Sequence, residues 1–204
     1  MKTIGITGNI GSGKSSVSKI LAEQGYKVLD SDSIAKKLMN ENENIKKKLI
    51  ENFGKDVYLS DNLINTEFLS KKVYGEKKEC KENLQALNKI VHPEVLDYLR
   101  EKIEEFELEG SQICFVESAL IYEADLEEAF DFIIVVHSDP ENSFNRLKNQ
   151  KNITRERFEA VEKEQISRRE KRELADFVIL NDKDFESLEK TTLFVLSLIK
   201  SLNF

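Results

Sequence analysis

The sequence is poor in several residue types whose abundance defines particular classes of protein. Tryptophan is absent from its 204 residues, and proline, cysteine and histidine occur only twice each. Two cysteines are too few for a disulfide framework or a four-cysteine zinc site, and Cys114 lies in an apolar run that predicts a core position. His92 and His137 are too widely separated to suggest a metal site.

Long apolar runs and a net positive charge are also missing. No stretch approaches the about 20 apolar residues of a membrane-spanning helix, and glycines interrupt the N-terminus before a signal-peptide core forms. We therefore expect a cytoplasmic protein. The net charge of −7 argues against nucleic acid or a membrane as a partner, although a local basic site for a small anion remains compatible with it. The sequence leaves open whether the protein is a monomer or a small homo-oligomer.

Short apolar runs alternate with helix-like segments, which is typical of an α/β fold with a mainly parallel sheet flanked by helices. Residues from about 34 to 110 show helix-like pieces and no convincing strand, with a new helix predicted to start at Pro93. Residues from about 141 to 173 are polar, helical and basic. The predicted core therefore covers about 1–33, 111–140 and 174–204 and carries two helical insertions. Its five strands are predicted at Lys2–Thr7, Lys27–Asp30, Gln112–Glu117, Asp131–Val136 and Phe177–Leu180.

The strongest motif is a complete phosphate-binding loop. Residues Gly8 to Ser15 read GNIGSGKS and match G-x-x-x-x-G-K-[ST] between a predicted strand and an amphipathic helix. Such a loop wraps backbone N–H groups around a phosphate, Lys14 supplies charge to the β- and γ-phosphates, and Ser15 is a ligand for Mg²⁺. The motif predicts a P-loop NTPase fold. An N-K-x-D motif for guanine is missing, which favours ATP, but the loop alone does not separate a kinase from a regulator.

Carboxylates follow two of the predicted strands. Asp30 ends the second strand, where it suits the surroundings of Mg²⁺, and Asp32 follows two residues later. Asp32 either accepts the proton of an acceptor hydroxyl or caps a helix that starts at Ser33. Glu117 ends the third strand as a magnesium-side carboxylate or as an ordinary polar residue.

Positive charge is concentrated near the C-terminal third. Residues 146–172 contain ten basic and five acidic residues, whereas the rest of the chain is strongly acidic. Arginines above the cleft would neutralise a transferring phosphoryl group, and a mobile lid would exclude water. The alternative is a set of solvated helices with i,i+4 ion pairs, such as Glu164 with Arg168.

Taken together, these motifs resemble the dephospho-coenzyme A kinase family over nearly the whole chain. The matching segments are ITGNIGSGKSS, VLDSDSIA at 28–35, His92-Pro93, FVESALIYE, Asn145-Arg146-Leu147 and Asn181. The resemblance implies Mg²⁺-dependent transfer of the γ-phosphoryl group of ATP to the 3′-hydroxyl of dephospho-coenzyme A, the last step of coenzyme A synthesis. It makes the first insertion a substrate domain and the second a lid.

The resemblance also implies a role for individual residues. Asp32, Lys14 and Arg146 are the expected catalytic residues, and Ser15 and Asp30 the expected metal site, with Asp30 acting through water. The expected acceptor-binding residues are Thr7, Asp32, His92 and Glu117. The expected ATP-binding residues are Gly8, Gly11, Ser12, Gly13, Lys14, Ser15, Ser16 and Asn181.

The chain departs from the family pattern at several positions, among them the segment Glu117-Ser-Ala119-Leu-Ile-Tyr-Glu123 in place of D-x-P-L-L-F-E. Glu117 replaces an aspartate, Gln150 a second lid arginine, Asn62 the glycine of a turn, and Thr66 an arginine. These differences concern the grip on the substrates rather than the reaction class. The rival interpretations are another small-molecule P-loop kinase, acting on a nucleoside or nucleotide, and a non-catalytic ATP-binding regulator.

Overall fold

The fold is built on a five-stranded parallel sheet with the strand order β2–β3–β1–β4–β5. Its strands are β1 (Lys2–Thr7), β2 (Lys27–Asp30), β3 (Ile113–Glu117), β4 (Phe132–His137) and β5 (Phe177–Leu180). The predicted α/β fold and its five strands are confirmed, with β3 and β4 differing from the prediction by one residue at their ends. The computed structural model describes residues 1–75 and 77–202, with the exception of the Lys151 side chain.

The chain divides into two units, one formed by Met1–Asp30 with Glu105–Phe204 and the other by Ser31–Glu104. In the first unit, β1, β3 and β4 are buried on both faces, which explains their continuous apolar sequences. Helices α1 (Lys14–Glu23) and α9 (Phe185–Ser201) cover one face. Cys114 is fully buried, as predicted.

The basic segment of the first unit forms three short helices. They are α6 (Pro140–Lys151), α7 (Arg155–Lys163) and α8 (Arg168–Leu174). Each begins at a residue whose side chain accepts a hydrogen bond from the first turn, namely Asp139, Thr154 and Ser167. The local sequence thus determines where each helix starts.

The second unit is helical, as its sequence predicts. It contains α2 (Ser31–Glu41), α3 (Glu43–Phe53), α4 (Thr66–Val73) and most of α5 (Lys78–Leu108). Its described residues form only an isolated bridge between Tyr58 and Ile64 in place of a sheet. Asn42 and Asn65 cap α3 and α4 with their side chains.

The prediction that Pro93 starts a helix is wrong, because α5 runs through it. The apolar stripe of Val91, Val95 and Leu99 is buried on both sides of the proline at helical spacing. Burial of this stripe keeps the helix continuous although the proline lacks one backbone donor. Among the described residues, no helix combines the length and apolar character that crossing a membrane requires.

Candidate active site

The phosphate loop joins β1 to α1 and depends on two close backbone approaches. A Cβ atom on Gly8 would lie 2.3 Å from the carbonyl oxygen of Val136, and one on Gly13 would lie 2.1 Å from Nδ2 of Asn181. Both glycines have positive φ, at 151° and 100°. The loop therefore packs against the ends of β4 and β5 in a conformation that only glycine allows.

The Lys14 side chain lies along this loop. Its Nζ atom donates hydrogen bonds to the carbonyl oxygens of Gly8 at 2.9 Å and Asn9 at 3.4 Å. The same residue begins α1, so the N-terminus of this helix and the positive end of its dipole lie beside the loop. Together they form a positive site of the kind that binds phosphate.

A hydrogen bond between Ser15 and Glu117 connects the start of α1 to the end of β3. The Ser15 Oγ atom donates a hydrogen bond to Glu117 Oε1 over 2.8 Å, and Glu117 is buried at the end of β3. Asp30 occupies the register position beside Glu117 on β2. These residues supply the hard oxygen ligands that Mg²⁺ prefers, so the residues present fit that ion.

Two hydroxyl groups of the loop region are buried without a partner. Thr7 and Ser12 are fully buried, and Thr7 Oγ1 and Ser12 Oγ have no hydrogen-bond partner among the described residues. Buried hydroxyls are nearly always satisfied, so an unsatisfied pair in the loop and directly before it sets this part of the chain apart. Ser12 lies in the loop and Thr7 directly precedes it.

Asn181 braces the loop from the end of β5. Its Nδ2 atom donates a hydrogen bond to the Ser12 carbonyl oxygen over 2.8 Å, and its side chain is buried. Arg146 of α6 reaches the same place, because its guanidinium donates to the carbonyl oxygen of Asn181 and to Ser138 Oγ. The predicted ATP-binding asparagine and the predicted lid arginine are thus brought together with the loop.

Asp182 fixes the start of α6 and was not predicted from the sequence. Its Oδ1 atom accepts hydrogen bonds from Asp139 N at 2.7 Å, Ser138 Oγ at 2.9 Å and Asn142 Nδ2 at 3.0 Å. Although burial raises the pKa of this carboxyl, the three hydrogen bonds outweigh that effect and lower the pKa below its usual value. The charged form of Asp182 therefore ties α6 to the end of β5.

A buried ammonium group connects α8 to the segment after β3. The ammonium group of Lys171 is fully buried, lies 2.8 Å from Glu123 Oε1 and donates to the Ala119 carbonyl oxygen over 2.9 Å. Burial lowers the pKa of Lys171, and the Glu123 carboxylate opposes that shift. The pair holds the chain just beyond Glu117 against α8.

Much of the predicted surplus of positive charge is neutralised. Among the ion pairs that the structure describes in this segment are Arg155–Glu141, Arg168–Glu162, Arg169–Glu173 and Lys171–Glu123. Three of these partners lie outside residues 146–172. The suggested i,i+4 pair of Glu164 with Arg168 does not fit, because α7 ends at Lys163 and α8 begins at Arg168.

Asp32 and His92 belong to the Ser31–Glu104 unit. The alternative that Asp32 caps a helix starting at Ser33 is wrong, because α2 begins at Ser31 and the exposed Asp32 lies in its first turn. His92 lies half-buried in α5, and burial lowers its pKa.

The phosphate loop, its lysine and serine, and the strand order around them define a P-loop nucleotide-binding fold of the kind found in small-molecule kinases. Solved structures support this class. A Thermus thermophilus protein is 30% identical, with a TM-score of 0.79 and coverage of 100% of this chain and 98% of that chain. The dephospho-CoA kinase of Campylobacter jejuni is 26% identical, with a TM-score of 0.70 and coverage of 99% and 98%. A shikimate kinase from Acinetobacter baumannii, 16% identical with a TM-score of 0.57 and coverage of 100% and 96%, shares the fold.

Sequence comparison identifies the family. The family model for dephospho-CoA kinase matches residues 2–187. The dephospho-CoA kinase of Listeria innocua is 37% identical over 199 residues, which cover 98% of this chain and 96% of that one. The chain belongs to the dephospho-CoA kinase family, and it is an ATP-dependent kinase. The predicted family and enzyme class are confirmed.

Proposed function

We propose that this protein transfers the γ-phosphoryl group of ATP to the 3′-hydroxyl of dephospho-coenzyme A and releases coenzyme A and ADP. The conformation of the phosphate loop is the observation that supports this proposal most strongly. Lys14 Nζ lies 2.9 Å from the Gly8 carbonyl oxygen, and the close approaches of the loop to Val136 and Asn181 require glycine at positions 8 and 13. Family membership supports the choice of acceptor.

ATP binds through the loop and the first turn of α1. The backbone N–H groups from Gly11 to Ser16 surround its phosphates, and Lys14 moves from the loop carbonyls to the β- and γ-phosphates. The hydroxyl of Ser12 gains a partner on binding. Asn181 and the residues that follow it are the proposed contacts of the adenine.

Ser15 would hold the Mg²⁺ that accompanies ATP, with Glu117 contributing its charge and Asp30 acting through water. Because the Ser15 hydroxyl hydrogen is directed at Glu117, its oxygen lone pairs remain available to the metal. When bound, the ion neutralises charge on the phosphate oxygens.

The transfer forms a bond between the 3′-oxygen of the acceptor and the γ-phosphorus, and breaks the bond from that phosphorus to the oxygen bridging it to the β-phosphate. The electron pair leaves with ADP. The acceptor proton passes to Asp32, which follows the end of β2 by two residues. Lys14 and Arg146 stabilise the charge on the transferring group.

The two helical insertions have different proposed roles in substrate binding. The helical insertion of about 34–110, with His92, is the proposed acceptor-binding segment. Thr7 and Glu117 are the proposed acceptor-binding residues of the core. The segment of about 141–173 acts as the lid that carries Arg146. The protein works in the cytoplasm on these two small molecules, without nucleic acid or membrane.

Product analysis tests this proposal. The protein is incubated with ATP, Mg²⁺ and either dephospho-coenzyme A or adenosine monophosphate as acceptor, and the product is examined by ³¹P NMR and mass spectrometry. The proposal predicts one new phosphate monoester on the 3′-oxygen of the ribose, in equal amount to ADP. Adenosine monophosphate as the only phosphorylated acceptor would contradict it and favour a nucleotide kinase.

A further inference from the structure

Arg168 lies at the centre of the best-connected side-chain cluster outside the predicted site. It begins α8, and only 9% of its surface is exposed. Its Nε and Nη2 atoms donate to the two carboxylate oxygens of Glu162 at 2.6 and 2.8 Å. This bidentate pair fixes the plane of the guanidinium and neutralises its charge.

The three remaining N–H groups of Arg168 reach three other segments. Nη1 donates to the Ser138 carbonyl oxygen at 2.6 Å and to Ser143 Oγ at 3.0 Å, and Nη2 donates to the Ile10 carbonyl oxygen at 3.2 Å. All five N–H groups of the side chain are thus used. Arg168 has no donor left for a phosphate, although it lies in the basic segment.

The contact with Ile10 reaches the phosphate loop. Gln165 accepts a hydrogen bond from the Ile10 N–H group at 2.8 Å, while Arg168 binds the carbonyl oxygen of the same residue. Asn9 Nδ2 also donates to the Ile166 carbonyl oxygen over 3.1 Å. The tip of the loop is therefore held from both sides by residues 165–168.

Ser143 extends this arrangement to α6. Its carbonyl oxygen would lie 2.7 Å from a Cβ atom on Gly11, so the helix backbone packs directly on the loop, and its hydroxyl accepts from Arg168. The Arg168 guanidinium thus contacts both α6 and the phosphate loop against which α6 packs.

We propose that Arg168 is a positioning residue that holds the phosphate loop, through Ile10, in the conformation that binds ATP. This inference deepens the proposed function, on which it rests. Lysine cannot replace arginine here, because a single ammonium group has three donors and no planar fork. Gln165 serves the same purpose from the other side of Ile10.

The test measures the affinity for Mg²⁺-ATP by calorimetry without an acceptor, and that for dephospho-coenzyme A separately. Arg168→Lys should weaken ATP binding by at least about tenfold, since small displacements of binding groups are costly. Gln165→Met, at a half-buried position, should weaken it by roughly fivefold and leave the affinity for dephospho-coenzyme A within about twofold. The melting temperature of each variant is recorded.

Arg169→Lys is the matched control, because Arg169 is the neighbouring arginine with an 88% exposed side chain paired to Glu173. It should bind ATP as the wild type does. If Arg168→Lys does not fold, Gln165→Met decides. Unchanged ATP affinity in Gln165→Met, or equal weakening for both substrates, would overturn the proposal. Failure of the proposed function would appear instead as absent acceptor phosphorylation by the wild type.

Discussion

The Ser15 hydroxyl donates a hydrogen bond to Glu117 Oε1 over 2.8 Å, joining the first turn of α1 to the end of β3. The carboxylate is 5% exposed, so the bond forms in a protected environment. It fixes the direction of the Ser15 hydroxyl hydrogen and leaves the oxygen lone pairs facing elsewhere. This relationship connects the phosphate loop to a carboxylate that lies 102 positions away in the sequence.

Glu117→Gln tests the proposed role of this carboxylate in magnesium binding. Loss of its charge should lower kcat by about 10- to 100-fold and raise the Mg²⁺ concentration needed for half-maximal activity. Initial rates measured over a magnesium titration check both effects. Glu186→Gln, at an exposed position on α9, is the control and should behave as the wild type. An unchanged magnesium dependence in Glu117→Gln would remove the residue from the metal site.

Arg146→Ala tests the proposed stabilisation of the transferring group. We expect kcat to fall by about 100-fold, with a smaller change in ATP affinity, because the developing charge lies on the transferring phosphoryl group. Steady-state rates and calorimetric ATP binding separate the two effects, and Arg169→Ala provides the exposed control. Weakened ATP binding with kcat intact would make Arg146 a ground-state contact.

Asp32→Asn tests the proposed proton acceptor. Asparagine has the same shape but cannot take the proton, so kcat should fall by about 100- to 10,000-fold. Because Asp32 is exposed in the first turn of α2, the variant should keep its fold, which circular dichroism checks. Asp97→Asn alters an exposed aspartate of the same unit and should leave kcat unchanged. Near-normal turnover in Asp32→Asn would refute the role.

Gly13→Ala tests the close approach of Asn181 to the loop. The new Cβ atom would lie 2.1 Å from Asn181 Nδ2 at a φ of 100°, so the loop or Asn181 has to move. We expect ATP binding to weaken by more than tenfold. The backbone strain should in addition lower the free energy of unfolding by about 1–3 kcal/mol. Calorimetry measures the affinity and thermal unfolding the stability.

Gly25→Ala is the control for this substitution. Gly25 has a φ of 86°, and a Cβ atom there would meet nothing within 4 Å. The variant should therefore show the loss of stability without the loss of ATP affinity. Equal ATP affinity in the two variants would mean that the contact with Asn181 does not shape the loop.

His92→Gln tests a pH dependence of stability. Burial lowers the pKa of His92 below its usual 6.5, so the unfolded chain binds a proton more readily than the folded chain. The free energy of unfolding should consequently fall as the pH drops below about 6.5, by at most about 1.4 kcal/mol per pH unit from this group. Urea unfolding at pH 7.5 and 5.5 should show a smaller loss in His92→Gln than in the wild type. An equal loss of unfolding free energy between pH 7.5 and 5.5 in His92→Gln and the wild type would contradict this account.

Strands and the phosphate loop could be predicted from the sequence, because their signals lie in short stretches of the chain. β1, β2 and β5 have the bounds that their apolar runs indicate, and the loop from Gly8 to Ser15 follows from its motif. Pro93 shows where local reasoning fails, because the buried stripe on α5 outweighs the preference of proline for a first turn.

The connections around the site were harder to predict from the sequence. Gln165 and Ile10 are 155 positions apart, and Arg168 belongs to a basic run in which nothing local distinguishes it from its exposed neighbour Arg169. Its partners are mostly backbone carbonyls and hydroxyls, which leave no pattern of residue types. The ion pairs of the basic segment likewise involve glutamates outside it, so its net charge overstated the free positive charge.

ADP release with and without dephospho-coenzyme A is the most direct measurement of the central claim. With ATP and Mg²⁺ present, the wild type should release ADP only when dephospho-coenzyme A is added, and Lys14→Ala should lose this release almost completely. An equal rate of ADP release with and without dephospho-coenzyme A, or an undiminished rate in Lys14→Ala, would contradict the account.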